Sequence, residues 1–148
     1  MIIQFRERFA LPLNEIFGYF ATPADWVRLY GTFGTVRDLG GGWYAVPLKR
    51  FPFPLVARVT AREENALVRW TFRGFWRGEG EIRLTQDKGD VVVEGHEAIA
   101  VRWLGPASPL LERWLLEQPF RRVWGAGWRR LRKREAETRG ASPGGGAA

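Results

Sequence analysis

The sequence has no cysteine, one methionine and one histidine, His96. Without cysteine there can be no disulfide framework, no thiol nucleophile and no zinc-finger spacing. A single histidine excludes a multi-histidine metal site, and no metal or cofactor is expected. Long apolar runs are also missing; none approaches the roughly 20 residues that span a bilayer. The start, Met1 to Arg8, carries charge where a secretory signal needs an apolar run, so a cytoplasmic chain is expected. There is no G-x-G-x-x-G, no Walker-type Gly-Lys-Ser/Thr, no G-x-S-x-G and no H-E-x-x-H. Nucleotide-dependent, serine-hydrolase and zinc-protease chemistry are therefore disfavoured.

What is present is a chain of 148 residues, 45% hydrophobic and 14% aromatic. That suits one domain with a sizeable core and is too apolar for a disordered chain. The 23 basic and 16 acidic residues leave a net charge of +7. Residues 121–134 hold seven basic residues and no acid, so that stretch alone carries the whole excess. The rest of the chain is neutral. Charge thus raises a question about one segment, not about a nucleic-acid-coating protein.

Hydrophobic spacing predicts the elements. Residues 2–9 alternate as a strand, with Ile3, Phe5, Glu7 and Phe9 on one face. Leu13, Ile16, Phe17 and Phe20 then fall on one helical face behind Pro12, and Thr22-Pro23 restarts a short helix through Tyr30. Strands are predicted over 33–38, 42–49, 54–63, 66–75, 78–86 and 90–103. Turn signals separate them at Gly40-Gly41-Gly42, Pro52-Phe53-Pro54, Glu64-Asn65, Arg77-Gly78 and Lys88-Gly89-Asp90. Such short connections imply antiparallel pairing. A long helix is predicted from Leu110 to about Glu137, either kinked at Pro119 or restarted with Pro119 in its first turn. One domain over 1–137 is expected, followed by a disordered Gly/Ala-rich tail, 138–148.

Strand, two short helices, six antiparallel strands and a long last helix is the order of the START-like, or SRPBCC, superfamily. The opening Phe9-Ala-Leu-Pro-Leu-Asn-Glu-Ile-Phe-Gly-Tyr-Phe-Ala-Thr-Pro-Ala-Asp-Trp26 resembles that of its polyketide cyclase/dehydrase-like and coenzyme-Q-binding members. The resemblance implies an α+β helix-grip fold, a curved antiparallel sheet of about seven strands wrapped around the last helix. It also implies a cavity between sheet and helix for an apolar small molecule, and it supplies no catalytic residues.

Strand parity assigns the inner face. Val68, Trp70 and Phe72 form one inward set; Ile82 and Leu84 belong to another. Arg58, Arg69, Arg73, Glu81 and Arg83 point outward. In 90–103 the apolar set is Val91, Val93, Gly95, Glu97, Ile99, Val101 and Trp103, with Glu97 its one acid. The helix-grip topology makes 2–9 and 90–103 neighbours, so Glu7 and Glu97 could share one interior. Each is either a polar fixture for a ligand or a general acid/base, unless a bulge or strand end turns it to solvent. His96 points outward by parity; only a register change would make it a proton-transfer candidate. Trp124, Gly127, Trp128 and Leu131 should face the sheet, and Gly125-Ala126-Gly127 signals a need for space, for a ligand or for close packing. With Phe5, these residues make the expected cavity lining. Phe51 and Phe53 either cap the core, or gate a cavity mouth or touch a membrane or partner.

Three functions fit: binding or carriage of a lipid, quinone or polyketide-like aromatic; a cyclase/dehydratase-type enzyme using Glu97, Glu7 or His96; or an interaction protein. The last would use Arg121, Arg122, Arg129, Arg130, Arg132, Lys133 and Arg134 to meet an anionic membrane or nucleic acid.

Overall fold

Alternation dictates the first strand: in β1 (Ile2–Phe9) Ile3 and Phe9 are buried while Gln4, Arg6 and Arg8 face water. The computed structural model describes residues 1–30, 35–48, 53–101, 110 and 116–141. After β1, Pro12 caps α1 (Leu13–Phe20), which buries Ile16, Phe17 and Phe20. Thr22 then closes a turn before α2 (Trp26–Tyr30): its hydroxyl accepts from the Asp25 amide at 3.3 Å and donates to the Asp25 carboxylate at 2.8 Å.

Six strands follow, β2 (Arg37–Gly40), β3 (Trp43–Val46), β4 (Leu55–Glu63), β5 (Leu67–Arg73), β6 (Trp76–Asp87) and β7 (Asp90–Val101). They pair antiparallel in sequence order, and β1 closes the far side of β7, giving the order β1-β7-β6-β5-β4-β3-β2. Gly40, Gly41 and Gly42 all have positive φ, which lets three residues reverse the chain between β2 and β3. Lys88 and Gly89, also at positive φ, make the tight β6–β7 hairpin.

Two expectations about the strands need correcting. The stretch 33–38 forms strand only from Arg37, residues 33 and 34 lying outside those described. The β5–β6 turn falls at Gly74-Phe75, not at Arg77-Gly78. Gly78 lies inside β6 with φ 148°, where a Cβ would collide with the Ala98 carbonyl of β7. It is a close approach between strands that reads as a turn in the sequence.

The last described element is α3 (Gln118–Ala141), with Pro119 in its first turn and Leu116 and Glu117 in a π-helical stretch that runs directly into it. It continues past the expected end near 137, and residues 142–148 are outside those described. Phe120, Trp124, Gly127, Leu131 and Glu135 form its buried stripe. Glu135 ties the helix to the start of the chain by accepting from the Ala10 amide at 2.8 Å. Gly127 does not open space toward the sheet. It faces α2, where an added Cβ would stand 2.9 Å from Leu29 Cγ, so close helix packing explains this glycine. No described helix is long and apolar enough to cross a membrane.

Candidate ligand-binding site

The register builds the site in one row. Val59 of β4 pairs with Trp70 of β5, Trp70 with Gly80 of β6, Gly80 with Glu97 of β7, and Glu97 with Ile3 of β1. The pairing of β7 with both neighbours runs without a shift, so parity holds through its centre. Glu97 therefore points inward and is only 4% exposed. Its Oε2 accepts from Trp124 Nε1 at 2.8 Å. Burial pushes the Glu97 carboxyl up to about 7, against the smaller lowering effect of the indole hydrogen bond.

Aromatic rings wall this carboxyl. Phe5 stacks on Trp124 at 4.3 Å between centroids, and Trp124 stacks on Trp128 at 5.4 Å. Phe20 lies within 6.4 Å of both indoles, Phe9 is 6.1 Å from Trp128, and Trp70 is 6.4 Å from Trp124. Trp26 meets Trp70 edge-on at 5.3 Å. Around them Val68, Phe72, Ile82, Leu84, Ile99, Val101 and Leu131 are buried. The interior beside Glu97 is thus lined largely by rings. Trp103 and Phe51 lie outside the described residues. Phe53 is half exposed and stacks on Phe75 at 4.3 Å.

Glu7 does not join Glu97. It pairs with Val93, while Glu97 pairs with Ile3, so the two acids sit toward opposite ends of the β1–β7 ladder. Glu7 is half-buried and bound to Arg132 of α3 at 3.0 Å. His96 is exposed on the outer face with Glu81 and Glu94, and no bulge carries it inward. On that face Arg69 and Arg83 both grip Glu81, which holds its carboxyl below the usual carboxylate range, chiefly through Arg69.

The basic segment divides into two groups. Arg121 pairs with Glu117, Arg132 with Glu7, and Arg134 with Glu15, while Arg130 donates to the Arg28 carbonyl. Arg122, Arg129 and Lys133 are exposed and make no ion pair or hydrogen bond among the described residues. Their spacing of seven and four puts them on one line, opposite the stripe that meets the core. All seven residues expected to face an anion are exposed, and of them Arg122, Arg129 and Lys133 have no partner among the described residues.

Two features had no reading in the sequence. Among the described residues Trp70 Nε1 is a buried donor without an acceptor. Glu135 is buried although charged; its spacing of four from Leu131 was the available signal. Among the described residues no group of His, Asp and Glu could hold a metal ion.

Together these elements define an α+β helix-grip fold. Among solved structures, the chain is similar to a conserved protein from Geobacillus kaustophilus at TM-score 0.72 and 12% identity, over 93% of this chain and 97% of that one. It is also similar to Ara h 8.0201 (TM-score 0.61, 10% identity, 90% and 99% covered). A third is the Aha1 dimer from Colwellia psychrerythraea (TM-score 0.54, 15% identity, 77% and 87% covered). No protein-family model matches the sequence, and no curated protein does. At these identities the likeness is one of fold.

Proposed function

We propose that the protein binds or carries an apolar small molecule between the sheet and α3. The observation that carries this reading is Glu97. An ionised carboxyl held among rings by one indole N–H lowers stability, and a core built only for packing would favour an apolar residue there. A polar fixture inside an apolar interior is how small-molecule sites fix orientation. The ring lining favours a flat quinone-like or polyketide-like body over a long acyl chain.

Native mass spectrometry and solvent extraction of the purified protein, with titration of a neutral naphthalene-ketone dye, test this. A co-purified molecule or saturable energy transfer from tryptophan to the dye is expected. An empty extract together with non-saturating dye would sink the reading.

A second reading, proton transfer in a cyclase/dehydratase-type reaction, is favoured by one observation. Burial raises the Glu97 carboxyl to about 7, the range that suits a general acid/base. It requires that the extracted molecule be converted by the protein and left unchanged by Glu97→Gln. An anionic partner of α3, in either reading, would meet Arg122, Arg129 and Lys133.

A further inference from the structure

Native cores leave few buried donors unpaired, and Trp70 Nε1 is one. Gly80 explains its position. A Cβ there would run into Trp70 Nε1, Cε2 and Cζ2, so the N–H edge of the indole lies over the bare backbone of Gly80. Gly80 is in turn the register partner of Glu97, on the same inner face. The unpaired donor therefore stands over the strand next to Glu97, about 4.8 Å away in the hydrogen-bonding direction. Glu97 Oε2 is taken by Trp124, while among the described residues Oε1 receives no hydrogen bond.

A buried donor lying over β6 and an acceptor on the adjoining β7, on a side chain only 4% exposed, not bonded to each other, call for a group that can both accept and donate. A hydroxyl does both. A methyl does neither, an ammonium cannot accept, and a carboxylate would set a second negative charge beside Glu97.

We propose that Trp70 Nε1 and Glu97 Oε1 form a polar subsite for one neutral hydroxyl oxygen of the bound molecule, which accepts from the indole and donates to the carboxyl. This rests on the small-molecule reading above and names the ligand class within it. The molecule is an alcohol or, given the stacked rings of Phe5 and Trp124 alongside, a phenol with an apolar body.

The test is a tryptophan-emission titration of the full chain at pH 7.5 with 4-propylphenol, its near-isostere 4-propyltoluene and the anion 4-propylbenzoate. The phenol should bind about tenfold more tightly than the toluene, the effect of one satisfied buried hydrogen bond. The benzoate should bind weakest. Trp70→Phe should sharply reduce the phenol's advantage and leave toluene affinity within about twofold, since the indole hydrogen bond is lost while the one to Glu97 remains. Glu97→Gln should bring the benzoate up toward the phenol. In heteronuclear NMR of the unaltered protein, one indole N–H resonance should move downfield with the phenol and not with the toluene. That readout decides the matter even if Trp70→Phe does not fold.

Equal affinity for phenol and toluene, or no indole shift, overturns the subsite, leaves the row to a trapped water, and leaves the carrier reading standing. Failure of all three compounds to bind overturns both.

Discussion

Trp124 Nε1 and Glu97 Oε2 lie 2.8 Å apart, a hydrogen bond that joins the long helix to the centre of β7 in a place closed to water. It ties the gripping helix to the sheet's inner face, and its strength depends on whether Glu97 carries a proton. Its consequences are measurable.

The first concerns pH. Glu97 is raised from 4.5 to about 7, so between those values the folded protein holds a proton that the unfolded chain has released. Stability from this group is then full below about pH 4.5, falls as pH rises, and levels off above pH 7. The difference amounts to ~3 kcal/mol. Urea midpoints should show the protein losing stability relative to Glu97→Gln between pH 5 and pH 8. A constant difference across that range would mean that Glu97 is not buried as described.

Trp124→Phe keeps most of the ring and removes the donor. It should destabilise by ~1–3 kcal/mol through the unsatisfied carboxyl, and more at pH 8 than at pH 5, because the ionised form loses most. Equal effects at the two pH values would count against the hydrogen bond.

Two glycines of α3 should respond in opposite directions to alanine. At Gly127 the new Cβ meets Leu29, which is fully buried, and Gly127→Ala should destabilise by ~1–3 kcal/mol despite better helix propensity. At Gly125 the nearest atom is the mobile end of Arg129, 3.4 Å away, and Gly125→Ala should stabilise by ~0.5–1 kcal/mol. Thermal unfolding of the two variants checks both signs.

Replacing Arg122, Arg129 and Lys133 together by Gln should leave stability within ~0.5 kcal/mol, because among the described residues none has a partner to lose. The same triple change should abolish whatever salt-dependent binding the protein shows to phosphatidylserine vesicles. Changing Arg132 and Arg134 to Gln should instead lower stability through their ties to Glu7 and Glu15, modestly for such exposed pairs. Vesicle binding that survives the triple change and falls with the double one would refute this division.

The inner and outer faces of the sheet were legible because one side of an antiparallel sheet is buried and alternation is its direct imprint. Trp70, Phe72, Ile82 and Leu84 follow it, as do Arg69 and Arg83 outside. The two acids set in apolar stripes looked alike. What separates them is a third element: Arg132 of α3 reaches Glu7 near one end of the ladder, whereas Glu97 bonds, among the described residues, only to an indole. No pattern within a strand can say which helix residue lands opposite it. Gly78 misled because a glycine needed for close strand approach and a glycine needed for a turn read the same. Trp70's unpaired N–H was invisible for a related reason, since it arises from Gly80 on a neighbouring strand.

The pairing of the first strand with the last has a kinetic side. Hairpins β2–β3 through β6–β7 each join neighbours in sequence, but β1 docks on β7 only by closing a loop that contains nearly the whole domain. Such a closure comes at a high entropic cost and is slow. Glu97, roofed by Ile3's strand on one side and Trp124 on the other, would stay hydrated until that final docking. Stopped-flow experiments should accordingly find that Glu97→Gln alters the unfolding rate at pH 8 and leaves the refolding rate nearly untouched. The carboxyl would then act as a timer on how long the folded state lasts, without a voice in how quickly it is reached.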